Sequence, residues 1–343
     1  MKVLQYNWLY EDWRRLEAQR ARLPHALLIH GAPDIGKREL ATHFAQSLLC
    51  GALEEGGHPC GQCQPCRWFS EGNHPDFRAL IPEILQPVAA ADGEDGLEKT
   101  AKAKTPSREI KIDQVRALDG FFNIGTHRGG ARVILVYPAD ALNTPASNAL
   151  LKTLEEPSQG TVFLLVTSHP DHVLPTIRSR AARFAVTTPS PGACIDWLAE
   201  QGVAQPLERL AEAGGAPLAA FREEGDASPA ERADLLDALQ TSRFDPLIAA
   251  ERCDKAGNEN IVLWLMRWVA DLLFVRQTGA SPRYHPARAD AVRACALQAD
   301  LGALHDYYRM LVAARRVASH PLNPRLFAEE LLIDYGRLMR GTR

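Results

Sequence analysis

The sequence lacks any apolar run long enough to cross a bilayer. Its longest, IVLWLMRWVADLLFV at 261–275, contains Arg267 and Asp271 and falls short of the roughly 20 residues that a spanning helix needs. It reads as a buried helix of a soluble protein. A marked charge excess is also missing: 39 basic and 42 acidic residues leave a net charge of −3. The whole-chain field therefore gives no argument for nucleic-acid or membrane attraction, and any DNA contact has to come from a local patch. The N-terminal stretch MKVLQYNWLYEDWRRLEAQR has scattered charges and no apolar core followed by a small-residue cleavage site. That argues against a secretory leader and makes the cytoplasm the expected compartment. No repeat of fixed period is visible. At 343 residues, the chain exceeds the size at which single cores usually stop growing, so more than one domain is expected.

Cysteine is concentrated in one place. The chain has seven, which in a cytosolic protein are thiols or metal ligands more often than disulfides. Cys50, Cys60, Cys63 and Cys66 form C-x9-C-x2-C-x2-C, with Gly61 and Pro65 supplying turns that let the thiolates converge. Four sulfur ligands suit tetrahedral zinc, and such a closed site is structural because it leaves no position for water. Two other readings stay open. One is an iron–sulfur cluster, although the fourth cysteine that usually follows shortly downstream is absent; the other is unbound thiols beside a helix end. His58 and His74 are spare ligands in principle, or ordinary loop residues.

The first half alternates strand-like and helix-like segments, predicting a mainly parallel α/β sheet. ALLIH (26–30) reads as a strand, and KRELATHFAQSLLC (37–50) as a helix with Leu40, Phe44, Leu48 and Leu49 at helical spacing. DFRALIP (76–82) follows the cysteines. Residues 86–107 are rich in Ala, Asp, Glu, Lys and Pro, so a flexible insertion is expected there. IKIDQVRALDGFF (110–122) predicts an amphipathic helix with Ile112, Val115, Leu118 and Phe122 on one side. RVILVY (132–137) and TVFLLVT (161–167) predict buried strands, separated by a helix that Pro157 stops at LEEP (154–157). Strand signals cease near 187. Short helices punctuated by Gly214, Gly215 and Pro217 give way near 229 to longer amphipathic ones. The expected division is an α/β domain at 1–186, a small helical domain at 187–228 and a larger one at 229–343.

IHGAPDIGKREL (29–40) has the spacing of a phosphate-binding loop, Gly31-x4-Gly36-Lys37. Backbone N–H groups of such a loop cradle phosphates while the lysine reaches the terminal ones, and a Ser or Thr hydroxyl follows to bind Mg²⁺. Arg38 stands there instead. The strand that should end in Mg²⁺-handling carboxylates ends in Tyr137 and Pro138. Asp140 lies three residues past Tyr137, where the next helix is expected. Gly31, Gly36 and Lys37 are still able to hold a nucleotide, but hydrolysis should be very slow. The alternative is a strand-to-helix turn kept only by the fold.

NALLKTLEEPSQGTVFLLVTSHPDHVLPTIRSRAARF (148–184) closely resembles the clamp-loader branch of the AAA+ superfamily, where a cysteine module after the first loop helix is also found. RLPHALLIHG near the N-terminus and NPRLFAEELL (323–332) look similar too, so the likeness covers most of the chain. It implies an AAA+-like P-loop α/β domain with a zinc module, then a helical lid and an all-α collar that joins subunits. The missing acids favour the non-hydrolysing subunit type over the ATP-hydrolysing one. The partners implied are gamma/tau and delta subunits in a hetero-oligomeric ring and, through that assembly, the sliding clamp and primer-template DNA. The whole is part of a replicative DNA polymerase holoenzyme. In the family a Ser-Arg-Cys motif carries an arginine that reaches a neighbour's ATP. Ser179 and Arg180 match it, and Ala181 departs from the cysteine. A permanently charged planar fork suits a transferred phosphoryl group, whereas spacing alone reads Arg180 as a surface residue paired with a carboxylate. Arg178 and Arg183 are nearby competitors for the role. Thr167 and Ser168 end the strand that carries the family's sensor. Lys152, Glu155 and Glu156 either line the face where DNA passes or merely solvate a helix, and Trp264, Trp268 and Phe274 belong to the collar or to ordinary core. Two further readings stay open: an ATPase using Asp140 as a displaced acid, and a zinc-dependent nucleic-acid-binding module.

Overall fold

The computed structural model describes residues 6–86, 106–123, 130–226, 229–241, 244–253, 255–320 and 322–340. The insertion expected at 86–107 lies outside the described residues except for its ends. The chain divides into two compact units, Met1–Ser190 and Pro191–Arg343.

The first unit is built on five parallel strands: β1 (Ala26–His30), β2 (Phe77–Leu80), β3 (Arg132–Val136), β4 (Thr161–Thr167) and β5 (Ala182–Ala185). Their order is β2-β3-β4-β1-β5, and every pairing is parallel. A parallel sheet is covered on both faces, so its inner strands read as continuous apolar runs rather than alternating ones. That is why ALLIH, RVILV and TVFLLVT announce themselves: all seven residues of β4 are buried. β5 does not, because Phe184 is the one buried position in its burial pattern.

Helices α1 (Tyr10–Gln19) and α2 (Lys37–Leu49) cover one face, while α3 (Gln64–Ser70) starts after Cys63 and carries Cys66. Leu9, Trp13, Leu16, Leu40 and Phe44 pack there against Leu27, Ile29, Leu164 and Val166. The other face carries α4 (Ile112–Asn123), α5 (Thr144–Glu155) and the single turn α6 (Pro175–Arg178). Val115, Leu118, Phe121, Leu150 and Leu154 meet Leu28, Ile134, Phe163 and Leu165. Each such side chain contributes ~1.5–3 kcal/mol when fully buried. In α4 Phe121, 6% exposed, joins Val115 and Leu118 in the core in place of the expected Phe122, which is half-buried beside it.

Asp140 is not on the next helix. It sits in a 3₁₀ turn, Ala139–Ala141, because Asn143 caps α5 by accepting the N–H of Ala146 at 3.0 Å. A proline in the first turn also starts that helix only after residue 143.

The second unit comprises α7 (Pro191–Glu200), α8 (Pro206–Glu212), α9 (Pro217–Asp226), α10 (Pro229–Leu239), α11 (Pro246–Arg252), α12 (Asn258–Thr278), α13 (Ala289–Gln298), α14 (Leu301–Val317) and α15 (Pro324–Arg340). Proline opens most of them, since its missing N–H is unpaired in a first turn anyway. α12 is the buried helix read at 261–275. Its Trp264, Leu265, Trp268 and Leu272 pack with Leu304, Leu311, Leu332 and Tyr335. Trp268 Nε1 donates to Tyr335 Oη, which donates to the Leu239 carbonyl, both at 2.9 Å. The aromatics at helical spacing are thus core, with Phe274 half-buried beneath the Arg283 guanidinium at 4.2 Å. Asp271 interrupts the apolar run for a local reason. Fully buried, it accepts the N–H groups of Arg283 at 2.7 Å, Tyr284 at 3.1 Å and His285 at 2.8 Å, and pairs with His285 Nδ1 at 2.9 Å. Among the described residues no helix is long and apolar enough to cross a membrane.

Candidate functional site

The loop after β1 lies at the carboxyl edge of the sheet, where open α/β folds hold ligands. Gly36 has φ +96° and caps α2, and a Cβ there would stand 2.8 Å from Leu9 Cδ1, so only glycine fits. The segment before α1 closes over the loop: Trp8 Nε1 donates to the Ile35 carbonyl at 3.0 Å, and Ile35 is buried. A Cβ on Gly31 would press against the Val186 carbonyl at 2.9 Å. Lys37 is 4% exposed and folds back to donate to the Ala32 carbonyl. Burial draws its ammonium down to about 8, against the opposing pull of Glu39 and Asp140. Burial also lowers His30, helped by Arg183 and Lys37.

The two positions that would handle Mg²⁺ meet each other. The Arg38 guanidinium lies over the Tyr137 ring, 5.3 Å from its centroid. A cation–π pair therefore stands where a hydroxyl and a carboxylate would share a metal. Thr167, buried at the end of β4, donates its hydroxyl to Asp140 Oδ1 at 2.5 Å and accepts the N–H of His169 at 2.9 Å. Asp140 is thereby held by the residue that ends β4.

Arg180 follows α6. Its Nη1 donates to the Thr176 carbonyl at 2.9 Å and to Ser179 Oγ at 3.5 Å, and its Nη2 pairs with Glu155 Oε1 at 2.5 Å. Ser179 Oγ in turn donates to the Thr176 carbonyl at 3.0 Å. Of the nearby competitors, Arg178 is tied to Asp171 at 3.0 Å, and Arg183 lies in β5 in register with Leu28. Lys152 shares an open groove between α4 and α5 with Arg116, Asp119 and Asn148.

The cysteines form a separate centre. All four Sγ atoms lie within 4.8 Å of one another, with Cys50 at 3.7 Å from Cys60 and 3.8 Å from Cys63. A tetrahedron of sulfurs at a zinc–sulfur distance of ~2.3 Å has edges of ~3.8 Å, so the set fits a four-coordinate metal. Backbone N–H groups of Ala52 and Cys60 point at Cys50 Sγ at 3.4 Å, and that of Cys63 at Cys60 Sγ at 3.3 Å. Burial raises the Cys66 thiol, helped by the sulfurs of Cys63 and Cys50. At Cys63 burial pushes upward too, but hydrogen bonds from the N–H groups of Cys66 and Gly51 and from the Cys60 and Cys66 side chains together outweigh it and bring the thiol to about 6. His58 and His74 lie outside the sulfur cluster. His58 stacks on Trp13 at 4.6 Å and 11° and meets His43 at 3.1 Å; His74 is buried and accepts the N–H of Asp76 at 3.1 Å. Trp13 Nε1 also donates to the Gly56 carbonyl at 2.9 Å. Arg20 grips Glu17 with two nitrogens and reaches Ser47 Oγ at 2.7 Å and the Gly57 carbonyl at 3.3 Å. Gly57 has φ +77°, and a Cβ there would strike the Glu17 carboxylate at 2.2–2.6 Å. The cysteine loop is thus pinned to α1 and α2.

A family model described as DNA polymerase III, delta subunit, matches residues 9–190. A second, DNA polymerase III, delta subunit, C terminal, matches 228–336. DNA polymerase III subunit delta' of Pseudomonas aeruginosa is 37% identical over 270 residues, spanning 78% of this chain and 75% of the relative. The Escherichia coli K12 protein of the same name is 32% identical over 294 residues, spanning 82% and 78%. The chain belongs to the DNA polymerase III delta' family. Among solved structures, a DNA polymerase III gamma subunit-related protein of Thermotoga maritima aligns over 96% of this chain and 99% of its own, with TM-score 0.46 and 15% identity.

The expected parallel α/β unit with a helical C-terminal part is present. Sequence reasoning missed three pairings at its edge: Arg38 with Tyr137, Thr167 with Asp140, and Glu155 with Arg180. The first had a signal, since two departures from one metal-binding pattern invite a joint explanation. For Thr167 and Asp140 no departure from a motif points to the pairing, and for Arg180 a carboxylate partner was expected but nothing local names Glu155.

Proposed function

We propose that this chain is the non-hydrolysing subunit of a replicative clamp loader, lending Arg180 to ATP held by a neighbouring subunit. Membership of the delta' family supports the assembly. The observation that carries the non-hydrolysing part is the Arg38 guanidinium over Tyr137, which puts a positive charge where Mg²⁺ would bind. Two further features support it: Lys37 is turned onto its own loop, and Asp140, the displaced acid of an ATPase reading, is engaged by Thr167. In this reading Gly31, Gly36, Lys37 and Thr167 are a remnant nucleotide site. Arg180 sits on a short turn with its side chain 35% exposed, as an arm that acts across a subunit boundary requires; Ser179 supports it.

The same reading gives Cys50, Cys60, Cys63 and Cys66 a structural zinc ion, which would fix the loop between α2 and α3 without chemistry of its own. Residues 187–228 serve as a lid and 229–343 as the collar that joins gamma/tau and delta subunits. The assembly acts in the cytoplasm on the sliding clamp and primer-template DNA. The test is ATP turnover by the purified chain with Mg²⁺. The reading predicts none above background and no change in Lys37→Ala. Turnover matching an ATPase subunit, lost in Lys37→Ala, would overturn it.

A further inference from the structure

We propose that Glu155 is a latch that occupies Arg180 until a neighbour's ATP displaces it. The proposal rests on the reading of Arg180 as a residue acting in trans. Glu155 ends α5 inside LEEP, and the packing of α5 against α6 brings its Oε1 to 2.5 Å from Arg180 Nη2. Nη1 is meanwhile satisfied by the Thr176 carbonyl and Ser179 Oγ. Both ends of the guanidinium fork are therefore committed within the chain, whereas phosphate recognition is strongest when both face the ligand.

The two sets of contacts differ in kind. Thr176 and Ser179 belong to the same short segment as Arg180, travel with it, and already fix the direction of the arm. Glu155 comes from another helix, so it adds little alignment; it holds the second end of the fork. The pair is partly solvated, with side chains 35% and 49% exposed, and such pairs are weak. A polyphosphate can displace a carboxylate held that loosely. The same carboxylate also repels the incoming phosphates, so competition and repulsion act in one direction: removing Glu155 should make the arginine easier to engage. The latch keeps the fork from pairing with stray anions and makes its release depend on nucleotide next door.

The experiment uses loaders rebuilt with this chain as wild type, Glu155→Gln, Glu155→Ala, Arg180→Ala and the two double variants, each checked for assembly. ATP turnover is followed against ATP concentration with clamp and primed DNA present. Glu155→Gln, which keeps shape and removes charge, should raise kcat/KM about two- to fivefold, the range set by a weak exposed pair, chiefly through a lower KM. Both Glu155 effects should vanish in the Arg180→Ala background. If Arg180→Ala is strongly impaired but Glu155→Gln leaves kcat/KM unchanged or lowers it, the latch is wrong and the arginine's role in trans stands. If Arg180→Ala changes nothing, both fall.

Discussion

Trp13→Ala tests whether the cysteine loop is bolted to the α/β core by one ring. Trp13 is 1% exposed. It stacks on His58 at 4.6 Å, meets His43 edge-on at 4.8 Å and Phe44 at 6.1 Å, and donates to the Gly56 carbonyl. Truncating a buried aromatic costs ~3–5 kcal/mol through lost transfer energy and a cavity, and losing the hydrogen bond to the exposed Gly56 adds little because water can take its place. For a unit of this size each kcal/mol shifts Tm by about 2–4 °C, so a value near 4 kcal/mol predicts a fall of about 8–16 °C in the α/β unit's transition. Scanning calorimetry of the whole chain measures it. Trp13→Phe, which keeps a ring but loses the N–H, should cost about a third as much. A Trp13→Ala loss below ~2 kcal/mol would refute the reasoning, because it would mean the ring lies against the loop without holding it.

Three further outcomes follow from the same structure. Lys37 titrates at about 8 in the folded chain against an ordinary 10.5, so between those values the unfolded chain binds more protons and stability rises with pH. Relative to Lys37→Met, the wild type should gain up to ~3 kcal/mol from pH 8 to 10.5 in urea unfolding; a flat difference would contradict the burial of that charge. Metal analysis should find one zinc per chain, and Cys60→Ser or a strong chelator should remove it and lower Tm. Asp271→Ala strands three backbone N–H groups and His285. It should cost ~3–5 kcal/mol by urea unfolding, and a loss under ~1 kcal/mol would mean water replaces the carboxylate.

The parts of the fold legible in the sequence are those where burial forces a pattern. Ala26–His30 and Thr161–Thr167 are flanked by strands on both sides, so their apolar runs are continuous and their limits coincide with the strands read from sequence. β5 pairs on one side only and carries exposed Ala182, Arg183 and Ala185, leaving no run to detect. Phe121 displaced Phe122 because the phase of α4 is set by how it packs on the sheet. The cysteine cluster was legible because close spacing in sequence limits separation in space. The Glu155–Arg180 pair was not, since it depends on how α5 and α6 pack, and that is decided by the apolar residues beneath them. His58 looked like an ordinary loop residue, and its stack on Trp13 arises only once the loop folds back onto α1.

In the proposed function this chain completes an active site it does not own. The most direct measurement compares ATP turnover, with clamp and primed DNA, by loaders rebuilt with wild-type chain or with Arg180→Ala after both are shown to assemble. A trans-acting arginine predicts a fall of on the order of tenfold or more with assembly intact; an unchanged rate would contradict it and leave the chain a scaffold.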